Sequence, residues 1–175
     1  MPIPGSRAFA RLVLSSAPIV IVGLVGCAKP SATITGSALS IDFSDIKQVF
    51  FGGPYIVMTP SDNVTCETVV FVRQSYETGS PPTTTPIELL QFTFVGADVS
   101  TGPKSIALSD SEVTSIVLAT DGTHFDFDRA TAGSIQVDTL NSQKTASGSF
   151  SGVTFADGSV DGDFDAEWCT NLKDR

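Results

Sequence analysis

The chain has 175 residues, with 10 Lys and Arg against 19 Asp and Glu, one His and three Cys, and a net charge of −9 at pH 7. So acidic a surface repels nucleic acid and anionic headgroups, which argues against both as direct partners, and it favours cations or basic partners. The length suits one ordinary domain with a real core, and one histidine without a close cysteine pair gives no framework for a structural zinc site.

Taken in order, residues 1–26 hold two basic residues, Arg7 and Arg11, and no acid. Leu12 to Val25 is then almost wholly apolar, a run of about 14 residues where a membrane span takes about 20. This is the form of an export signal rather than a permanent membrane helix. It ends in Leu24-Val25-Gly26-Cys27, which resembles the lipobox of bacterial lipoproteins. The resemblance implies diacylglyceryl transfer to the Cys27 thiol, cleavage before Cys27 and anchoring of the mature chain in a membrane by its acyl chains. The alternative is an ordinary signal peptide in which Cys27 is incidental. Ala28 stands where, in the sorting rule of two-membrane bacteria, an Asp would retain the protein at the inner membrane, so the expected address is the cell envelope, at the outer membrane where there is one. Loss of Arg7 and Arg11 takes the basic count from 10 to 8 and the net charge from −9 to −11.

A tether, 28–32, leads into short runs rich in Val, Ile, Phe and Thr, separated by Gly, Pro, Asp and Ser, which is a β pattern. Strands are expected at 33–43, 46–51, 55–59, 67–76, 87–95, 105–108, 113–120, 124–129, 133–140, 146–155 and 159–168. No window shows helical periodicity with proper caps. The expected fold of 33–175 is therefore all-β, an antiparallel sandwich or flattened barrel of about 9 to 11 strands. The proline-rich stretch 77–86 reads as a surface loop. With Cys27 spent on lipid, Cys66 and Cys169 remain as an even pair in an exported chain, the setting in which disulfides persist; two separate thiols are the alternative.

The strongest local pattern is the C-terminal hairpin around Ala156-Asp157-Gly158. A three-residue loop pairs Phe155 with Ser159 and Phe150 with Phe164. Val160, Ala166 and Trp168 then face inward, while Asp161, Asp163, Asp165 and Glu167 face water. Burial selects this reading, because a slip of one residue would bury part of the acidic row.

The segment Gly162-Asp163-Phe164-Asp165-Ala166-Glu167-Trp168-Cys169 resembles the closing Gly-Ser-Phe-Asp-Ala-x-x-Cys of a loose group of uncharacterised bacterial lipoproteins, departing at Asp163. Their other recurring segment, an aliphatic strand leading through a polar turn to a cysteine, has its counterpart in Tyr55 to Thr59 and Thr65-Cys66. The resemblance strengthens the pairing of Cys66 with Cys169 and implies no activity.

Two patterns carry candidate chemistry. Asp161, Asp163, Asp165 and Glu167 put four carboxylates on one strand face, and calcium takes six to eight oxygens. Neighbours two apart on a strand are nearly 7 Å from each other, so one ion needs help from elsewhere. The bland reading is a solvated face. His124, Asp126 and Asp128 alternate with Phe125 and Phe127, which are expected to point inward, and could hold a transition metal or do acid and base work. The bland reading is a half-buried strand with a wet side. Gly148 to Gly152 has Phe150 where a nucleophile elbow needs serine. The resulting expectation is a membrane-anchored lipoprotein whose non-catalytic domain serves binding, adhesion or envelope structure, with an envelope protein, glycan or surface ligand as partner. A calcium-dependent module and an enzyme centred on His124 are the rivals.

Overall fold

The computed structural model describes residues 30–80, 86–95, 103–109, 111–141 and 144–172. The strands are β1 (Ser31–Ala38), β2 (Ile41–Asp42), β3 (Gln48–Gly52), β4 (Tyr55–Thr59), β5 (Ile87–Phe94), β6 (Lys104–Ala107), β7 (Val113–Thr120), β8 (Phe125–Arg129), β9 (Ala132–Asn141), β10 (Thr145–Thr154) and β11 (Ser159–Trp168). One helix, α1 (Cys66–Thr78), lies between β4 and β5. The protein is thus mostly β, as its composition suggests.

The strands form one curled, open sheet in the order β6-β9-β10-β11-β3-β4-β5-β7-β8. Its two halves face each other as in a sandwich, yet they are joined through β11. That strand pairs with β10 along one edge; along the other it pairs with β1 over residues 160–165 and, in parallel, with β3 at Glu167 and Trp168. The parallel pair is a departure from the purely antiparallel expectation. β1 begins at Ser31, opposite Asp165, so the last two residues expected to be tether belong to the sheet.

The main core fills the inside of the curl. Phe92 of β5 and Phe150 of β10 meet there with ring centroids 5.0 Å apart, and Phe51 meets Trp168 edge to face at 5.0 Å. Around them pack Val49, Ile56, Met58, Leu90, Val117, Ile135 and Phe164, all buried. A second cluster covers the outside of β3, β4, β5 and β7, where Phe50, Val57, Leu89 and Leu118 lie against Val69 and Val72 of α1. The central strands are therefore apolar on both faces, and Phe50 and Phe51, on opposite faces of β3, are both buried.

Residues 67–76 are helical, not a strand. Val69-Val70-Phe71-Val72 has high strand propensity, but local chemistry at both ends decides otherwise. Thr65 caps the helix by accepting the Thr68 N–H, and the Thr68 hydroxyl accepts the Thr65 N–H, a capping box. Val64 before the cap and Val69 beyond it are both buried, as in a hydrophobic staple. Gly79 ends the helix at φ 67, which costs glycine least.

The hairpin has its acids outward, but its register differs from the expected one. Thr154 pairs with Ser159, and a bulge between Phe150 and Val153 puts Phe150 opposite Gly162 and Gly148 opposite Phe164. Each phenylalanine thus sits across from a glycine, which two opposed rings could not do. A Cβ on Gly148 would stand 2.0 Å from the Gln136 carbonyl oxygen and 2.9 Å from the Phe164 ring. The bulge lets Phe150, Val153 and Phe155 all face inward, which strict alternation forbids.

Among the described residues one buried side-chain polar atom has no partner: the Ser115 hydroxyl, on the inner face of β7. A buried hydroxyl without a hydrogen bond costs about 1–3 kcal/mol. Ser115→Ala is therefore expected to leave stability unchanged or raise it by about 1 kcal/mol, read as the midpoint of chemical denaturation.

Candidate functional site

Cys27 lies outside the described residues. Cys66 and Cys169 form a disulfide, with Cα atoms 5.5 Å apart and 103 residues of separation. It joins the first turn of α1 to the end of β11. The Cys169 N–H donates to the Phe51 carbonyl at 2.8 Å, so the cystine also pins the β3 edge.

The four acids of β11 are exposed, flanked by hydroxyls of the neighbouring strands. Thr33 and Ser149 stand opposite Asp163, and Ser31 and Ser147 opposite Asp165. A shallow polar hollow of about 270 Å³ lies over this surface, lined by Ser31, Thr33, Asp138, Ser147, Asp163 and Asp165. Asp161 is turned to structural use, accepting the Gly152 N–H of the bulge at 2.7 Å. Among the described residues no group of three or more His, Cys, Asp or Glu side chains is placed to hold a metal ion. Asp161, Asp163, Asp165 and Glu167, the acids considered for calcium, therefore do not form such a group by themselves.

His124, Asp126 and Asp128 do not converge. His124 is in the turn before β8 with its side chain 81% exposed; its Nδ1 meets the Thr123 hydroxyl at 2.7 Å and Asp121 at 3.8 Å. Asp126 is exposed. Asp128 points toward the other half of the sheet and accepts the Ala156 N–H at 2.7 Å, latching the edge strand β8 to the β10–β11 turn. An inward-pointing charge on an edge strand also discourages pairing with other chains. Phe127, expected inside, is 56% exposed on the outer face, where it meets the Tyr76 ring of α1. The helix covers the central strands and reaches the edge strand only through Tyr76, which also meets Phe125 and leaves Phe127 partly open to water.

Several acids act as turn clamps. Asp157 accepts the N–H groups of Leu39 and Ser40 at 2.8 and 2.9 Å, holding two residues with positive φ. Asp121 accepts the Thr123 hydroxyl and the N–H groups of Thr123 and His124, and these bonds lower its pKa to about 2. Because the folded-state value lies below the ordinary carboxylate value, the stabilisation is full above about pH 4 and is lost as pH falls through about 2. A carboxylate titration by NMR should place Asp121 near 2, and Asp121→Asn should abolish the matching pH dependence of the Thr123 amide shift.

The concavity that strand alternation does not disclose lies beside α1. It is a groove of about 460 Å³ whose floor includes Val64 and Ile87, whose wall is Phe71 and whose rim carries Asp62 and Glu67. Its size falls in the range of small-molecule sites, roughly 300–1,000 Å³. Phe71 is 48% exposed. The polar hollow and this groove are two concave surfaces that the described residues build from segments distant in sequence.

Among the described residues no helix is long and apolar enough to cross a membrane. No known protein family, no curated protein and no solved structure matches the chain.

Proposed function

We propose that this chain is a lipid-anchored protein of the bacterial cell envelope whose β domain works by binding or scaffolding rather than by catalysis. The observation that carries this reading is the charged, then apolar leader ending in Leu24-Val25-Gly26-Cys27. The sheet begins only four residues later, at Ser31. Four extended residues reach at most about 14 Å, so acyl chains on Cys27 hold the domain close against the headgroups. The polar hollow lined by Ser31 and Thr33 is then near the bilayer, and the α1 groove is a surface for a partner. A domain positioned in this way, acidic and stapled by a disulfide, fits an oxidising compartment outside the cytoplasm. Ala28 favours the outer membrane in a two-membrane cell.

Detergent phase partitioning of the expressed full chain tests the anchor. The wild type should follow the detergent phase, as two or more acyl chains require. Cys27→Ser should remain unprocessed or move to the aqueous phase. An unprocessed variant keeps its apolar leader and also follows the detergent, so fatty-acid labelling decides: the wild type should carry the label and Cys27→Ser none, and label on neither or on both would overturn the anchor.

A further inference from the structure

We infer that the α1 groove is a docking site for an extended protein segment that presents a lysine or arginine beside an apolar side chain. The inference rests on reading the domain as a binding module, and it names the ligand class.

The floor of the groove is apolar: Val64 and Ile87 are buried in the second core cluster, and Phe71, half exposed, lines the groove with them. Phe71 is one of three large hydrophobic side chains exposed among the described residues, with Val95 and Phe127, and of these it lines the groove. A solvent-facing aromatic wall beside a buried apolar floor suits a ligand with a hydrophobic part.

The rim decides the sign of the ligand's charge. Asp62 and Glu67 are both exposed carboxylates there. Glu67 stands in the first turn of α1, whose N-terminus supplies about half a positive charge. Two full negative charges outweigh that half charge, so the mouth stays anionic. Lys47 lies close enough to Asp62 to feel its charge, but its ammonium is paired with the Asp45 carboxylate, so that pair adds no net positive charge beside the rim. The face of Phe71 adds attraction for a cation seated over the ring. A second copy of this chain is a poor occupant, since its acidic surface would be repelled. A basic segment with an adjoining apolar residue satisfies the rim and the floor together.

Glu67→Gln and Phe71→Ala separate the two contributions, since both side chains project from the outer surface of α1. The full chain in non-ionic micelles is titrated with the peptide acetyl-Lys-Leu-Lys-amide, with protein-free micelles as blank, and read by amide chemical shifts. Saturable shifts at Glu67, Phe71 and Ile87 are expected. Affinity should fall about three- to fivefold in Glu67→Gln and roughly tenfold in Phe71→Ala, with Phe71→Tyr retaining it. It should also weaken as salt is raised. Absence of saturation, unchanged affinity in both variants, equal binding of acetyl-Glu-Leu-Glu-amide, or shifts spread along Asp161 to Glu167 would each overturn the proposal. Melting curves of the variants confirm that each is folded. Failure here leaves the acylation of Cys27 standing, and failure of acylation leaves the groove's affinity unchanged.

Discussion

Replacing Cys66 and Cys169 together by alanine is expected to destabilise the protein by about 2–5 kcal/mol and to lower its melting temperature by roughly 10 °C. The bridge spans 103 residues, so in the chain-entropy view it removes much of the freedom of the unfolded chain. There is a local effect as well. It ties the first turn of α1 to the residue after β11, and the carbonyl and amide of Cys169 bond to Leu172 and Phe51. Without it, α1 is held by the packing of Val69, Val72 and their neighbours on the outer face of the sheet, by the hydrogen bond from Arg73 to the Tyr55 hydroxyl and by Tyr76 against Phe125 and Phe127. Amide exchange should therefore accelerate first in α1 and at the C-terminal end of β11. A loss below 1 kcal/mol would show that the packing alone sets the position of the helix.

Truncating either ring at the centre of the curl has a similar size. Phe92→Ala or Phe150→Ala should each cost about 3–5 kcal/mol, the range for emptying a packed aromatic site. A domain of this size has only about 5–15 kcal/mol in hand. The two rings come from opposite halves of the sheet and meet at 5.0 Å. The double variant should accordingly cost less than the two singles added, by about 0.5–1.5 kcal/mol. Strict additivity would mean that the halves are not coupled through this contact. Ile135 and Val153, buried in the same cluster, set the scale for ordinary aliphatic packing.

These effects trace back to features that the sequence shows unequally. β4, β7 and β11 are legible to the residue, because Tyr55 to Thr59 and Val113 to Thr120 carry strand residues almost throughout, and Ser159 to Trp168 follows a Gly turn with acids alternating against Val160, Phe164, Ala166 and Trp168. The outward acids of β11 are legible for the same reason, since burial of a carboxylate row is forbidden. The disulfide follows from cysteine parity once Cys27 is assigned to lipid.

The helix is not read from periodicity, since Val69 to Val72 looks like a strand and helical spacing is obscured by the run of apolar residues. Its legible signals are shorter: Thr65 as cap, Val64 and Val69 as staple, Gly79 as terminator. The bulge also has a sequence signal, since Phe150 and Val153 are three apart where alternation requires two. The position of Phe127 has none. Alternation separates the faces of β8, but only the tertiary fold shows that the helix covers the central strands and touches the edge through Tyr76 alone.

Of the candidate sites, the acidic row is where the sequence puts it, and His124 is on an exposed turn because Asp121 and Thr123 fix that turn locally. The α1 groove joins the turn after β4, the start of α1 and the start of β5. Such a convergence depends on the helix packing down between two strands, which no local pattern of residues encodes.

The lipoprotein reading assigns three sulfurs two fates, and intact-mass analysis of the protein isolated from its own cells reads both at once. It predicts a chain beginning at Cys27, heavier by a diacylglyceryl group, whose other two cysteines resist alkylation until they are reduced. An unacylated residue 27, or thiols at 66 and 169 that alkylate without reduction, would contradict it.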